Sequence, residues 1–164
     1  MASMSGARDA LVEAGVRILE RDGLPALSAR KVAVEAGTST MALYTNFGGM
    51  TGLLEAIAVD VFVRFTQALT EIPETADPVA DFMAMGLAYH RFALTNPQRY
   101  QLIFGTTASL ASHRTDLTVT GSATNRDEWA TSFEALHKAV HRMMAAGRIR
   151  DDDELAVAGR LWSL

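Results

Sequence analysis

Ser28-Ala29-Arg30-Lys31-Val32-Ala33-Val34-Glu35-Ala36-Gly37-Thr38-Ser39-Thr40-Met41-Ala42-Leu43-Tyr44-Thr45-Asn46-Phe47 sets two capping serines on either side of a glycine. Ser28 suits a helix N-cap, because its hydroxyl can accept a bond from a backbone N–H that has no partner within the helix. A short helix from there to about Ala36 is closed by Gly37, which tolerates the left-handed closing position. Ser39 repeats the capping signal for a second short helix to Asn46 or Phe47, and Gly48-Gly49 breaks it. Two short helices joined by a tight turn at Ala36-Gly37 have the spacing of a helix-turn-helix, whose second helix presents its N-terminal residues to base edges in the major groove. Spacing alone fits an ordinary helical corner equally well, and periodicity leaves the two open.

Working outward, Ala7, Leu11, Ala14, Gly15 and Ile18 fall at three- and four-residue steps opposite Asp9, Glu13, Arg17 and Glu20, which predicts an amphipathic helix over 7–22. Asp22-Gly23-Leu24-Pro25 ends it. Downstream, Met50, Leu53, Leu54, Ile57, Val61, Phe65, Ala68 and Ile72 trace one stripe of a long helix. Asp77-Pro78 reads as a cap followed by proline at the first helical position. It opens a helix to about Thr95 with Phe82, Met85, Gly86, Tyr89, Phe92 and Ala93 inward. Asn96-Pro97 repeats that signal for a short helix ending near Gly105. Residues 106–124, rich in Thr, Ser and Gly, read as a loop or weak helix. Trp129, Phe133, Leu136, Val140 and Met143 mark another long helix stopped by Gly147, and Asp151-Asp152-Asp153-Glu154 suits the positive end of a last one. No strand alternation or internal repeat is visible, so the expected fold is all-α.

Bulk properties narrow the function classes. The 164-residue chain has no cysteine, which removes disulfides, thiolate catalysis and zinc–cysteine sites. No secretory signal is visible, and no apolar run approaches the roughly 18–20 residues that span a bilayer. The chain therefore reads as soluble and cytoplasmic, with no membrane partner. The net charge is −4, which argues against a nucleic-acid coat held by bulk attraction. Residues 1–60 carry five basic and seven acidic side chains, a balance of −2, so any DNA reading has to rest on geometry.

The residues themselves add what the spacing lacks. Ala36-Gly37-Thr38-Ser39-Thr40-Met41-Ala42-Leu43-Tyr44-Thr45-Asn46-Phe47 resembles the recognition-helix signature of the TetR family. Ala14-Gly15, Ile18-Leu19, Gly23, Leu27-Ser28 and Leu53-Leu54 sit at that family's spacing, so the resemblance covers about residues 7–65. It implies a three-helix DNA-binding domain over 5–48 and a helical effector-binding and dimerisation domain over 49–164. It further implies a ligand-responsive repressor that binds a palindromic double-stranded operator as a homodimer, with neither catalytic role nor cofactor. Carried over by position, Thr40, Met41 and Thr45 face base edges, where threonine offers a hydroxyl and a methyl and methionine an apolar contact. Ser39, Tyr44 and Asn46 hold phosphates, with Ser28 and Thr38 in the same surface, and Arg30 and Lys31 reach the backbone as point charges. Leu43 and Phe47 are core. The family often has histidine where Asn46 stands and lysine where Met50 stands. Those departures predict fewer phosphate ion pairs, on the order of two to four released counterions per half-site.

Asn96-Pro97-Gln98-Arg99-Tyr100-Gln101-Leu102-Ile103-Phe104-Gly105 resembles one TetR C-terminal subgroup, whose final helices include a Trp followed by His-Gly. Here Leu161-Trp162 falls in register two residues before the last. The resemblance implies that the chain stops inside its eighth helix, as a shortened or fragmentary product or one that dimerises differently. Met83, Tyr89, Phe92, Tyr100, Phe104, Trp129 and Phe133 are the candidate lining for a small apolar or amphipathic effector, although aromatics and methionines at helical spacing serve equally as core. His137 and His141 have the spacing of two metal ligands, but Lys138 stands where a zinc protease has Glu and no third ligand is apparent, so no metal is expected. The alternative to a repressor is a helical interaction module, or a truncated regulator without stable DNA binding.

Overall fold

A computed structural model describes residues 4–104 and 126–162, with the side chains of 6–104 and 130–161. The elements are α1 (Met4–Asp22), a 3-10 turn (Leu24–Ala26), α2 (Ala29–Glu35), α3 (Thr40–Phe47), α4 (Met50–Thr70), α5 (Pro78–Thr95), α6 (Pro97–Phe104), α7 (Arg126–Ala145) and α8 (Glu154–Trp162). Every element among the described residues is helical, and the fold is all-α. The expected loop or weak helix at 106–124 lies outside the described residues.

The helix boundaries follow their capping chemistry. Ser28 and Ser39 accept from the backbone N–H groups of Lys31 and Ala42 at 3.4 and 3.2 Å. Asp77 Oδ1 accepts from the N–H groups of Val79 and Ala80, and Asp153 Oδ1 from those of Leu155 and Ala156, so each carboxylate caps the helix it precedes. Helix α4 ends at Thr70, two residues short of Ile72, the last position of the expected stripe. Pro73 accounts for this, since the residue before a proline is pushed out of the helical region.

The chain forms two compact units. One comprises residues up to Val61 together with the segment that begins at Asn96, and the other comprises Phe62–Thr95 with Arg126–Leu164. In the first unit, α1 packs on α2, α3 and α6 over a core that includes Leu11, Ile18, Leu19, Val32, Leu43 and Ile57, all essentially without solvent contact. Gly52 allows the α3–α4 joint, because a Cβ there would run into the carbonyl oxygen of Phe47. Arg99 on α6, 15% exposed at its side chain, pairs with Glu20 on α1 at 2.5 Å.

The second unit holds an aromatic cluster. The Phe65 ring meets Phe62, Tyr89 and Phe92 edge-on, with centroids 6.4, 5.6 and 5.2 Å apart. Buried Thr66 and Ser132 hydroxyls satisfy one another. On α5 the buried stripe differs from the expected one: Pro78, Asp81 and Phe92 are buried and Phe82 and Met85 half-buried, whereas Gly86 and Tyr89 are exposed. At about 100° per residue, Gly86 turns away from Met85 towards the side of exposed Met83 and Leu87.

Two polar joints tie the helices of this unit together. Asp81 accepts from the backbone N–H and the hydroxyl of Thr75 and from Arg142 Nη1, at 2.9, 2.7 and 2.7 Å, while Arg142 Nη2 donates to the Thr75 carbonyl. The Thr75 hydroxyl, then its N–H, then Arg142 hold the Asp81 carboxyl below the usual carboxylate range. Beside it, Lys138 pairs with Glu74 and holds that carboxyl low as well. At the α7–α8 contact, Glu154 stands between His137 Nε2 at 3.3 Å and His141 Nδ1 at 2.7 Å.

Candidate nucleic-acid interface

Helices α2 and α3 meet through a turn closed by backbone hydrogen bonds. The Thr38 N–H donates to the Ala33 carbonyl at 2.9 Å and the Gly37 N–H to the Val34 carbonyl at 3.1 Å. This closure puts Gly37 at φ 66°, a left-handed conformation that glycine takes without strain. Val32, Ala33 and Leu43 are buried against α1, fixing which faces of α2 and α3 turn outward.

On α3 the outward face is formed by Thr40, Met41, Tyr44 and Thr45. Met41 is 71% and Tyr44 54% exposed, an unusual display of large apolar surface on an eight-residue helix. At about 100° per residue these four side chains span an arc of about 140°, with Leu43 and Asn46 on the other side. The two capping serines use their hydroxyl oxygens as acceptors from the backbone, which leaves each hydroxyl hydrogen to be donated outward. Thr38 is half-buried at the turn, and Arg30 and Lys31 are exposed on the first turn of α2. Among the sequence-derived candidates, then, Ser28, Arg30, Lys31, Ser39, Thr40, Met41, Tyr44 and Thr45 are each exposed on the helix-turn-helix segment. Asn46 stands apart: half-buried, it donates its amide Nδ2 to the Ala42 carbonyl at 2.8 Å and so turns back along its own helix.

The arginines of α1 are engaged elsewhere. Arg17 donates to a Glu35 carboxylate oxygen at 3.2 Å, and Arg21 to Asp22 at 3.1 Å and Glu35 at 3.4 Å. These pairs hold α1 against the end of α2. Arg8 lies over the Phe47 ring, 5.2 Å from its centroid, a cation–π contact between the start of α1 and the end of α3. Arg17 also lies 3.9 Å from Glu13, one turn earlier on α1, and its shorter pairing with Glu35 has no signal in the sequence.

The candidate effector-lining residues fall in both units. Met83 is exposed, Phe92 is buried with Tyr89 at its edge against Phe65, and Tyr100 and Phe104 pair in the first unit with ring centroids 4.9 Å apart. Phe133 packs beside Val140 and Met143, and the Trp129 side chain lies outside the described residues. A cavity of about 140 Å³ in the second unit is lined by residues including Leu69, Ile72, Met85, Lys138 and Arg142. Among the described residues no group of three His, Asp or Glu side chains is placed to hold a metal ion. No single described helix is long and apolar enough to cross a membrane, and α3 with α4 reaches that length only across a 71° bend.

Comparison with known proteins agrees with this geometry. The pattern described as "Bacterial regulatory proteins, tetR family" matches residues 11–57, and "Tetracyclin repressor-like, C-terminal domain" matches residues 82–164, just over half of the chain. The HTH-type transcriptional repressor DrrR1 of Streptomyces coeruleorubidus is 49% identical over 47 residues, which cover 29% of this chain and 17% of that repressor. A protein of unknown function from Rhodococcus sp. RHA1 is similar in structure, with a TM-score of 0.77 and 28% identity over 96% of this chain and 77% of its own. The fold is also that of PfmR, a TetR family transcriptional regulator from Thermus thermophilus, with a TM-score of 0.65 and 20% identity over 93% of this chain and 80% of that one. With a helix-turn-helix pattern at one end and a repressor-type helical domain at the other, the chain belongs to the TetR family of bacterial regulatory proteins.

Proposed function

We propose that the chain represses transcription by binding a palindromic operator as a homodimer, each protomer laying α3 in a major groove, and that a small apolar or amphipathic effector releases it. The observation that carries this reading is the exposed face of α3 formed by Thr40, Met41, Tyr44 and Thr45, with the capping serines and the Arg30–Lys31 pair of the same helix-turn-helix segment also exposed. Likeness to a named repressor over the helix-turn-helix segment supports the sign of the regulation. Two recognition helices about 34 Å apart would match half-sites one helical turn apart. The base-facing roles fall to Thr40, Met41 and Thr45; Ser28, Thr38, Ser39, Tyr44, Arg30 and Lys31 position the backbone, and Asn46 supports them from within the helix.

The domain reading that goes with this is DNA binding over 5–48 and effector binding with dimerisation over 49–164. In the second unit, the cavity between Leu69, Ile72 and Met85 is a place for an apolar group, with Lys138 and Arg142 at its wall. An effector would lower operator affinity by binding more tightly to the conformation whose recognition helices do not fit the half-sites. Such a regulator acts in the cytoplasm, where its DNA is.

Fluorescence anisotropy with duplexes from the DNA flanking the protein's own gene, against a scrambled duplex, tests the reading. Saturable, sequence-selective binding with two protomers per site by sedimentation is the expected result. Equal affinity for the scrambled duplex would instead favour a helical interaction module, or a regulator whose DNA binding needs a longer chain.

A further inference from the structure

Resting on the DNA-binding reading above, we infer that α3 reads its half-site chiefly through thymine C5-methyl groups, with Met41 as the main specificity-determining residue and the Thr40 and Thr45 methyls beside it. A guanine is read most strongly by a bidentate Arg or Lys on O6 and N7, and an adenine by a bidentate Asn or Gln on N7 and N6. Helix α3, Thr40–Phe47, has no charged residue at all. Its one carboxamide, Asn46, is half-buried and bonded to the Ala42 carbonyl, on the opposite side from Met41.

Among the described residues of the first unit, the neighbouring cations do not fill the gap. Arg17 and Arg21 are held by Glu35 and Asp22, and Arg8 lies over Phe47. Arg30 and Lys31 sit on α2, the helix that crosses the phosphate backbone in this docking geometry. What α3 does present is a thioether on a flexible apolar stem, two threonine methyls with their hydroxyls, and a tyrosine. In the major groove the only apolar group on a base edge is the thymine methyl. Leaving a Met side chain 71% exposed costs solvation that burial against such a methyl would recover. The half-site is therefore rich in A·T pairs whose thymines face Met41, and its selectivity is shape- and methyl-based.

The test replaces thymine by deoxyuridine, which removes the methyl and keeps pairing and phosphate charge. The probe is a duplex that binds selectively in the anisotropy assay, with thymines in both half-sites replaced one symmetric pair at a time. Wild-type protein should bind about fourfold more weakly for each methyl lost from contact, the equivalent of one buried methyl-sized group. Met41→Ala should bind the thymine duplex more weakly yet lose the response to deoxyuridine at one symmetric pair. Thr40→Ser and Thr45→Ser, which delete a methyl and keep the hydroxyl, should each abolish the response at a neighbouring pair. Because Met41 is exposed, its replacement should leave the helical circular dichroism unchanged, which guards against mere unfolding. A wild-type protein indifferent to every deoxyuridine substitution, or a Met41→Ala variant as sensitive as wild type, overturns the methyl reading while selective DNA binding stands. Failure of any thymine duplex to outcompete the scrambled one overturns the DNA reading, and this inference with it.

Discussion

The outward surface of α2 and α3 and the α5–α7 joint of the second unit handle charge in opposite ways. At the joint, Asp81, Thr75 and Arg142 satisfy one another across three segments of chain, with Lys138 on Glu74 alongside, so charge is used to hold helices in register. In the first unit the pairs of Arg17 and Arg21 join α1 to the end of α2, and the face turned outward on α3 carries hydroxyl, thioether and phenol instead. A helix-turn-helix with an acidic N-terminal segment can thus commit the arginines of its first helix to scaffold. On the proposed reading, affinity for DNA is then left to two cations on α2 and to apolar complementarity.

The largest expected effects lie at the hydrophobic supports of the second unit. Phe65→Ala, which removes the ring that Phe62, Tyr89 and Phe92 all meet, should cost about 3–5 kcal/mol and collapse the second unit, read as loss of the cooperative thermal transition. Next comes the joint itself. Arg142→Ala leaves Asp81 with Thr75 alone and should lower the melting temperature near neutral pH. Because the folded carboxyl titrates below its unfolded value of about 3.9, its stabilisation is present above that pH and is lost as pH falls through the depressed folded value. The gap in melting temperature between wild type and Asp81→Asn should therefore shrink on acidification below about pH 4, and a gap that stayed constant would mean the carboxylate charge is not what matters.

Smaller effects sharpen the contrast on the DNA side. The salt dependence of operator binding should correspond to about two to four counterions per half-site, and Arg30→Ala or Lys31→Ala should each reduce it by about one. A steep wild-type slope would show that cations from elsewhere reach the phosphates. Smallest of all, Arg21→Ala should leave operator affinity unchanged within about twofold. Its guanidinium is engaged with Asp22 and Glu35, and a loss similar to that of Arg30→Ala would place it on the DNA instead.

Much of the helix-turn-helix was legible because its determinants are local. Ser28, Gly37 and Ser39 act within three or four residues of themselves, and Leu43 and Val32 follow from periodicity. Helix α5 was less so: its apolar residues occur nearly all round, with Met83, Leu87 and Leu94 exposed beside buried Phe92, and a pattern without a polar stripe does not say which face is covered. An aromatic at helical spacing likewise looks alike in sequence whether it meets a ligand or another ring such as Phe65.

By itself the sequence determined the helical class, the places where helices start and stop, and the residues available at the recognition helix, because caps, glycine turns and 3.6-residue periodicity are properties of neighbouring residues. Only the tertiary structure decided which charges are spent. Arg17 and Glu35 are 18 residues apart, and Arg142 and Asp81 are 61 apart. No local rule joins them, because each pair forms only when packing of the apolar faces brings two helices within reach.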